Sequence, residues 1–328
     1  MLKVGLIGAG FMGAMHANCY KALDGVELVA IADVREEKAK ALAEGTNAVV
    51  YGDGKDLIDN ADLDIIDICL PTFIHAKYAC LAMEKVKYVF VEKPVALTNE
   101  DIDMLFKKQE ETGAYVQVGQ VIRFWDEYVA LKDMIESGKY GKVVNANFRR
   151  ISPTPTWGWN DWLRKVEFSG GAAQDLHIHD IDFVLSLFGE PLAVSSIRNT
   201  EGEANSYINT LMKYKDFPVT VEGTWNLPAS YPFSASFRVM FEKACVENAP
   251  GTGFVLYTDE GKENIVIEKE KFAAVEAGGN VSDLGGYFKE LYYFTDCAKK
   301  GAPVEKATLA DAAASLRFLL NKEFPAAL

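Results

Sequence analysis

Three glycines in "VGLIGAGFMG", Gly8, Gly10 and Gly13, stand directly after a short apolar run and at the mouth of an amphipathic stretch. Between a strand and a helix each has a physical task. The first makes a tight turn, the second lets a pyrophosphate approach the backbone, and the third lets helix and strand pack closely. Free N–H groups at the helix start, in the turn that carries Phe11 and Met12, then hold the phosphates of a dinucleotide. Asp33 closes the second apolar run twenty residues beyond Gly13, where a carboxylate hydrogen-bonds the adenosine ribose. A 2'-phosphate would meet like charge there, which favours NAD over NADP. Arg35, following Val34, softens that repulsion and leaves NADP possible.

The first 120 residues alternate apolar runs ("KVGLIG", "ELVAIAD", "AVVYG", "DIIDICLP", "YVFVEKP", "AYVQVGQ") with helical patterns over 11–23, 35–44, 73–84 and 98–112. Strands alternating with helices pair in parallel through crossovers, which predicts a doubly wound sheet. After a helix near 124–137 the texture becomes period-two, as in "FPVTVEGTWN", where Val219, Val221 and Trp225 share one face and Thr220, Glu222 and Thr224 the other. That is the pattern of an antiparallel sheet. One helix, 175–188, interrupts it, and two more close the chain near 282–299 and 308–320. The expected class is α/β: a Rossmann domain over 1–120, then an α+β domain over 121–328 with a large, mainly antiparallel sheet for substrate binding and oligomerisation. The last helix could pack back on the first domain.

A net charge of -13 opposes the positive field that nucleic acid or anionic membranes require, so neither is an expected partner. No apolar run approaches the ~20 residues of a membrane span. The five cysteines form no close C-x-x-C pair and fit neither a disulfide framework nor a zinc site, so a reducing cytoplasm is expected. "MLKVGLIGAGFMGAM" could pass for a short signal segment, but its glycine spacing has the better explanation given above.

In "VFVEKPVALTNED" an apolar run ends on Glu92 and Lys93, followed by Pro94. Charges at the end of a buried strand are costly unless paired or used, and carboxyl strand ends line the ligand crevice of such a sheet. Lys93 is therefore either a surface ion pair or a group facing the reacting end of the cofactor, and a cis Lys93–Pro94 bond would aim it.

These motifs, with "CLPTFIHA", "VGQVIRF" and "GGAAQDLHIHDID", make the chain resemble the glucose–fructose oxidoreductase / inositol dehydrogenase / rhizopine-catabolism (Gfo/Idh/MocA) family of NAD(P)-dependent oxidoreductases. The resemblance implies that the family's Glu-Lys-Pro lysine is Lys93 and its Asp-x-x-x-His pair is Asp175 and His179. It also places Leu70, Pro71, His75, Glu92, Lys93 and Gln120 along the cofactor, with Arg123 and Trp162 as substrate contacts beside Lys93, Asp175 and His179. Two departures, His177 where the family often has glycine and Asp126 where a proline is common, leave the substrate wall open.

Stepping about 100° per residue puts Asp175, His179, Asp182 and Ser186 on one stripe of an otherwise apolar, hence buried, helix. His177 and His179, two apart, point in nearly opposite directions, which speaks against a metal. Asp182 is expected to pair structurally and His177 to pack on the sheet; His16 reads as structural, and His75 equally as a plain helix-start residue. His179 alone could be a satisfied core histidine. "TPTWGWNDWLRK" offers Trp157, Trp159 and Trp162 to the C–H faces of a sugar or polyol, or else packs as a loop or interface.

The reaction expected is hydride transfer between nicotinamide and a secondary alcohol, with His179 as general base, Lys93 stabilising the alcohol oxygen, and Asp175 orienting His179 or binding a neighbouring hydroxyl. A glycosidase using transient redox and a non-catalytic sugar or nucleotide sensor are the alternatives. A homodimer or homotetramer is expected from the open face of the second sheet.

Overall fold

In the computed structural model, which describes residues 1–199, 207–267 and 285–323, the chain forms two units. One holds Met1–Val121 with Glu270–Ala313, the other Ile122–Lys269 with Ala314–Leu328. The division is not a single cut near residue 120, because part of the chain beyond the second sheet belongs to the first unit.

The first unit is a parallel sheet of β1 (Leu2–Ile7), β2 (Val26–Ala32), β3 (Val49–Tyr51), β4 (Ile65–Ile68), β5 (Tyr88–Val91) and β6 (Tyr115–Val118), in the order β3-β2-β1-β4-β5-β6. Its strands read as continuous apolar runs because both faces are covered: Val4, Leu6, Ile65, Ile66, Val89 and Phe90 have no exposure. Each such side chain contributes roughly 1.5–3 kcal/mol when fully buried. The helices between strands are α1 (Phe11–Ala22), α2 (Glu36–Ala43), α3 (Gly54–Asn60), α4 (His75–Lys85) and α5 (Asn99–Thr112). Thr98 caps α5 by accepting the Asp101 N–H at 3.1 Å, and Gly113, at φ 64°, ends it in the left-handed region. Strand order reverses between β1 and β4, which opens a crevice at their carboxyl ends. The β6 edge is closed by residues 307 and 308: Val118 N–H donates to Ala307 at 2.8 Å and Gln117 bridges to Thr308.

The second unit contains α6 (Asp126–Ser137), α7 (Val166–Ser169) and α8 (Ile178–Phe188) and an eight-stranded sheet. The strands are β7 (Val143–Pro153), β8 (Ala193–Asn199), β9 (Tyr207–Lys213), β10 (Pro218–Leu227), β11 (Ser234–Phe241), β12 (Cys245–Ala249), β13 (Gly253–Thr258) and β14 (Gly261–Asn264), ordered β14-β13-β12-β11-β7-β10-β9-β8. All pairs are antiparallel except β7 with β10. Val219, Val221 and Trp225 are buried as the alternation requires, while Thr220 and Glu222 lie on the open face, where Glu222 pairs with Arg149 at 3.1 Å. Thr224 is also buried, next to the register shift between Thr224 and Leu227.

Helices α6 and α8 cover the buried face through edge-on aromatic contacts, with Tyr128–Phe183 at 4.9 Å and Tyr128–Phe237 at 5.2 Å between ring centroids. Beneath them Arg150 of β7 donates Nε to Asp180 at 2.8 Å and Nη2 to the Tyr128 hydroxyl at 3.2 Å. The helix expected over 175–188 is not uniform: a π turn, Ala173–His177, runs into α8. The remaining helices are α9 (Gly285–Lys300), which packs beside α1 in the first unit, and α10 (Leu309–Phe318).

Candidate active site

The glycine loop has the shape that its spacing implies. Gly8 sits at φ +102°, and a Cβ there or at Gly13 would overlap backbone oxygens, of Cys69 and Gly8 respectively. A Cβ at Gly10 would meet nothing within 4 Å, so the space above the second glycine is open for a ligand. No side chain caps the N-terminus of α1, and no acidic residue lies in its first turn, which leaves the positive end of the helix facing that space.

Asp33, 8 % exposed, accepts the Ala9 N–H through Oδ2 at 2.8 Å and so braces the loop. Its Oδ1 accepts the Arg35 backbone N–H at 2.8 Å and Nε–H at 3.1 Å, while Arg35 Nη2 reaches Oδ2 at 3.2 Å. Val34 is largely exposed beside them.

At the carboxyl edge, Gln120 is wholly buried with neither amide oxygen nor nitrogen hydrogen-bonded, and the buried Thr72 hydroxyl is also unpartnered. Orphaned buried polar atoms call for a partner, and at a ligand crevice a ligand can supply it. Gly10 and Gln120 thus fit a dinucleotide with its phosphates on α1. Thr72 was not singled out from the sequence; its only sequence signal is its place directly after Leu70 and Pro71, both half-buried at the end of β4.

Lys93 is half-buried after β5, and its bond to Pro94 is cis. Glu92 does not face the crevice as expected. Its carboxylate turns inward, Oε2 accepting the Lys93 N–H at 3.0 Å and Oε1 lying 3.1 Å from His16 Nε2. His16 Nδ1 in turn lies 2.8 Å from Asp67 Oδ2, which also accepts the Tyr20 hydroxyl at 2.8 Å. Burial disfavours the His16 imidazolium, but Cys69 and Asp67 outweigh it and hold the ring well above its ordinary range. Burial pushes the Cys69 thiol up. Burial likewise opposes ionisation of Glu92, yet its bond to His16 and the charges of His16 and Lys93 bring it below the usual carboxylate range.

His16, Asp67 and Cys69 offer ligand atoms within 4.8 Å of one another. The 2.8 Å between His16 Nδ1 and Asp67 is, however, a hydrogen-bond separation, shorter than the ~3.3 Å between tetrahedral zinc ligands at ~2.0 Å from the ion. The cluster is a hydrogen-bonded core. Glu290 of α9 lies against it, fully buried with both oxygens unpartnered; burial and then the charge of Glu92 raise it well above the carboxylate range.

His75 also departs from expectation. Its ring is 1 % exposed and spans two carbonyls, Nδ1 to Pro94 at 2.7 Å and Nε2 to Leu70 at 2.6 Å, so it ties the β4 end to the Glu-Lys-Pro segment rather than presenting a nitrogen to a cofactor. Burial pulls it below its ordinary range against the two carbonyls, so the neutral ring donates its single N–H to one of them at a time.

In the second unit, Asp175 lies on the π turn and His179 in the first turn of α8, both half-buried. A π turn at such a place is a common feature of functional helices. Asp182 is instead fully buried, clamped by Arg123 (Nε at 2.6 Å, Nη2 at 2.8 Å) and the Ser315 hydroxyl at 2.8 Å. Arg123 is thus committed to a structural fork, which weakens its assignment as a substrate contact. His177 is buried on the sheet, Nε2 3.0 Å from the Thr210 hydroxyl, in space left by Gly223, where a Cβ would press on the ring. In the tryptophan loop Trp162 is half-buried while Trp157 and Trp159 are exposed, and Asn160 and Asp161 adopt left-handed φ values of 50° and 59°. Strain at such a pair collects near functional sites.

Residues 2–120 match the model of an oxidoreductase family with an NAD-binding Rossmann fold, and residues 128–247 match the GFO/IDH/MocA C-terminal domain. The myo-inositol 2-dehydrogenase of Thermotoga maritima is 31 % identical over 192 residues, 58 % of this chain and 55 % of that protein. The match thus spans about half the length of that curated relative. The scyllo-inositol 2-dehydrogenase (NAD(+)) of Bacillus subtilis is 25 % identical over 92 % of this chain and 87 % of its own. The fold is shared with a levoglucosan dehydrogenase solved with NADH and levoglucosan, at a TM-score of 0.82 and 22 % identity, covering 97 % of this chain and 95 % of that one. With a glycine loop, an acid-ended second strand and a Glu-Lys-Pro strand end in one unit and an Asp-x-x-x-His turn over a mainly antiparallel sheet in the other, the chain belongs to the Gfo/Idh/MocA family of oxidoreductases.

Proposed function

We propose that the protein is an NAD-dependent dehydrogenase acting on a secondary alcohol of a sugar, sugar acid or polyol, with inositols the first substrates to test. The observation that carries this reading is the pairing of an open phosphate cradle at Gly10 with Lys93 at the end of β5, the position at which a Rossmann sheet presents reactive groups. Gly8, Gly10, Gly13, Asp33, Thr72 and Gln120 would hold the cofactor, which when bound supplies the hydride acceptor. His179 accepts the hydroxyl proton as general base; Lys93 donates a hydrogen bond to the same oxygen and offsets its developing charge; Asp175 orients His179 or binds an adjacent hydroxyl. Trp162 supplies an aromatic face for C–H groups.

The relatives are named as inositol dehydrogenases, which favours net oxidation over glycoside cleavage with transient redox and over a sensor. Following nicotinamide absorbance across inositols, aldoses and sugar acids with NAD and NADP tests the reading. Turnover with NAD supports it, and no signal with any of them alongside tightly retained NAD contradicts it. The open face of the second sheet, where Ile197, Leu211 and Met240 are exposed among polar residues, is the proposed contact of a homodimer or homotetramer, which light scattering tests.

A further inference from the structure

The polar array under the first sheet begins and ends on segments with opposite tasks. His16 lies on α1, the helix whose N-terminus faces the phosphate cradle, and Glu92 immediately precedes Lys93. Between them run three contacts: Asp67 Oδ2 to His16 Nδ1 at 2.8 Å, His16 Nε2 to Glu92 Oε1 at 3.1 Å, and the Lys93 N–H to Glu92 Oε2 at 3.0 Å. His16 and Asp67 have no exposure and Glu92 only 5 %, so solvent cannot replace a lost partner. The His16–Asp67 contact is a charge-assisted hydrogen bond, about twice as strong as a neutral one, whereas His16 Nε2 and Glu92 Oε1 meet at ion-pair distance without hydrogen-bond alignment. A purely structural need would be met by apolar packing at lower desolvation cost.

Resting on the reading that Lys93 acts on the alcohol oxygen, we propose that His16 is a positioning residue that sets Lys93 through Glu92. His16 holds the Glu92 carboxylate, Glu92 fixes the Lys93 peptide, and the buried His75 ring, its Nδ1 2.7 Å from the Pro94 carbonyl, abuts the far side of the same segment. The helix that receives the phosphates therefore also holds the strand end that carries the lysine. Displacing a reacting group by ~1 Å can cost about 10²-fold in rate, so the array acts on turnover rather than on cofactor affinity.

The two ring nitrogens can be tested separately. The amide of His16→Gln can replace Nε2 and keep a polar contact with Glu92; that of His16→Asn can replace Nδ1 and keep only the bond to Asp67. With myo-inositol and NAD as probe, His16→Asn is expected to lower kcat by about 10–100-fold and His16→Gln by no more than about 5-fold, with NADH affinity within about 3-fold in both. Adding His16→Asn to Lys93→Ala is expected to change the residual rate less than about 2-fold, because both act on one group. Independently of any substrate, hydrogen exchange at the Lys93 amide should accelerate in His16→Asn and not in His16→Gln. Equal losses in the two variants, multiplicative losses with Lys93→Ala, or an unchanged Lys93 amide in His16→Asn would overturn the proposal. Absence of wild-type turnover, with the amide exchange still separating the variants, would remove the substrate reading and leave the positioning role standing.

Discussion

Arg35 folds back onto Asp33, two residues earlier, engaging both oxygens of its carboxylate with the guanidinium while the Arg35 backbone N–H also binds Oδ1. The pair explains how a basic residue coexists with the acid proposed to bind the ribose. With the carboxylate present the guanidinium is neutralised; without it, the positive charge would be offered to a 2'-phosphate.

Asp33→Ala is therefore expected to lower kcat/KM for NAD by about 10-fold or more, at the ~1.4 kcal/mol per decade of a lost charged hydrogen bond, and to raise relative use of NADP. Steady-state kinetics with both cofactors measures it. An unchanged NAD to NADP ratio would show that neither residue reads the ribose.

The glycines separate binding from folding. Gly10→Ala meets no neighbour in the protein, so its melting temperature should stay within about 2 °C while NADH affinity drops about 10-fold or more. Gly13→Ala would drive its methyl into the Gly8 carbonyl and should lower the melting temperature markedly. Calorimetry and NADH fluorescence titration distinguish the two effects.

Glu290 gives a pH signature. Its folded pKa is raised by burial and by Glu92, so the contribution of the neutral carboxyl to stability is fully present below its unfolded value near 4.5 and is lost as pH rises toward the folded value. That loss runs at up to about 1.4 kcal/mol per pH unit. Glu290→Gln keeps the shape and removes the titration, so it should stabilise the protein more at pH ~8 than at pH ~5. Denaturant unfolding at the two pH values measures this; equal effects would mean that Glu290 is ionised in the fold.

Much of this architecture is legible in the sequence because it rests on local pattern. Continuous apolar runs mark the six strands of the first sheet, and the period-two stretch around Val219 and Val221 marks the second. Helix α3 escapes notice because "GKDLIDN" is too short to show a period. The π turn before α8 is hidden because the apolar residues of "AAQDLHIH" suit either helix. What local pattern cannot carry is long-range pairing. His16 finds Asp67 and Glu92, His75 finds the Pro94 carbonyl, and Arg123 finds Asp182, each far along the chain, which gives Glu92, His75 and Arg123, expected at the ligand, structural partners instead.

The most direct measurement is turnover of Lys93→Ala and of His179→Ala with NAD and the best polyol from the panel, beside their NADH affinity. Loss of a positioned acid–base or oxyanion-stabilising group should lower kcat by about 10²–10⁴-fold with NADH binding within a few-fold of wild type. Wild-type turnover in either variant would contradict the assignment of Lys93 and His179 to the alcohol oxygen.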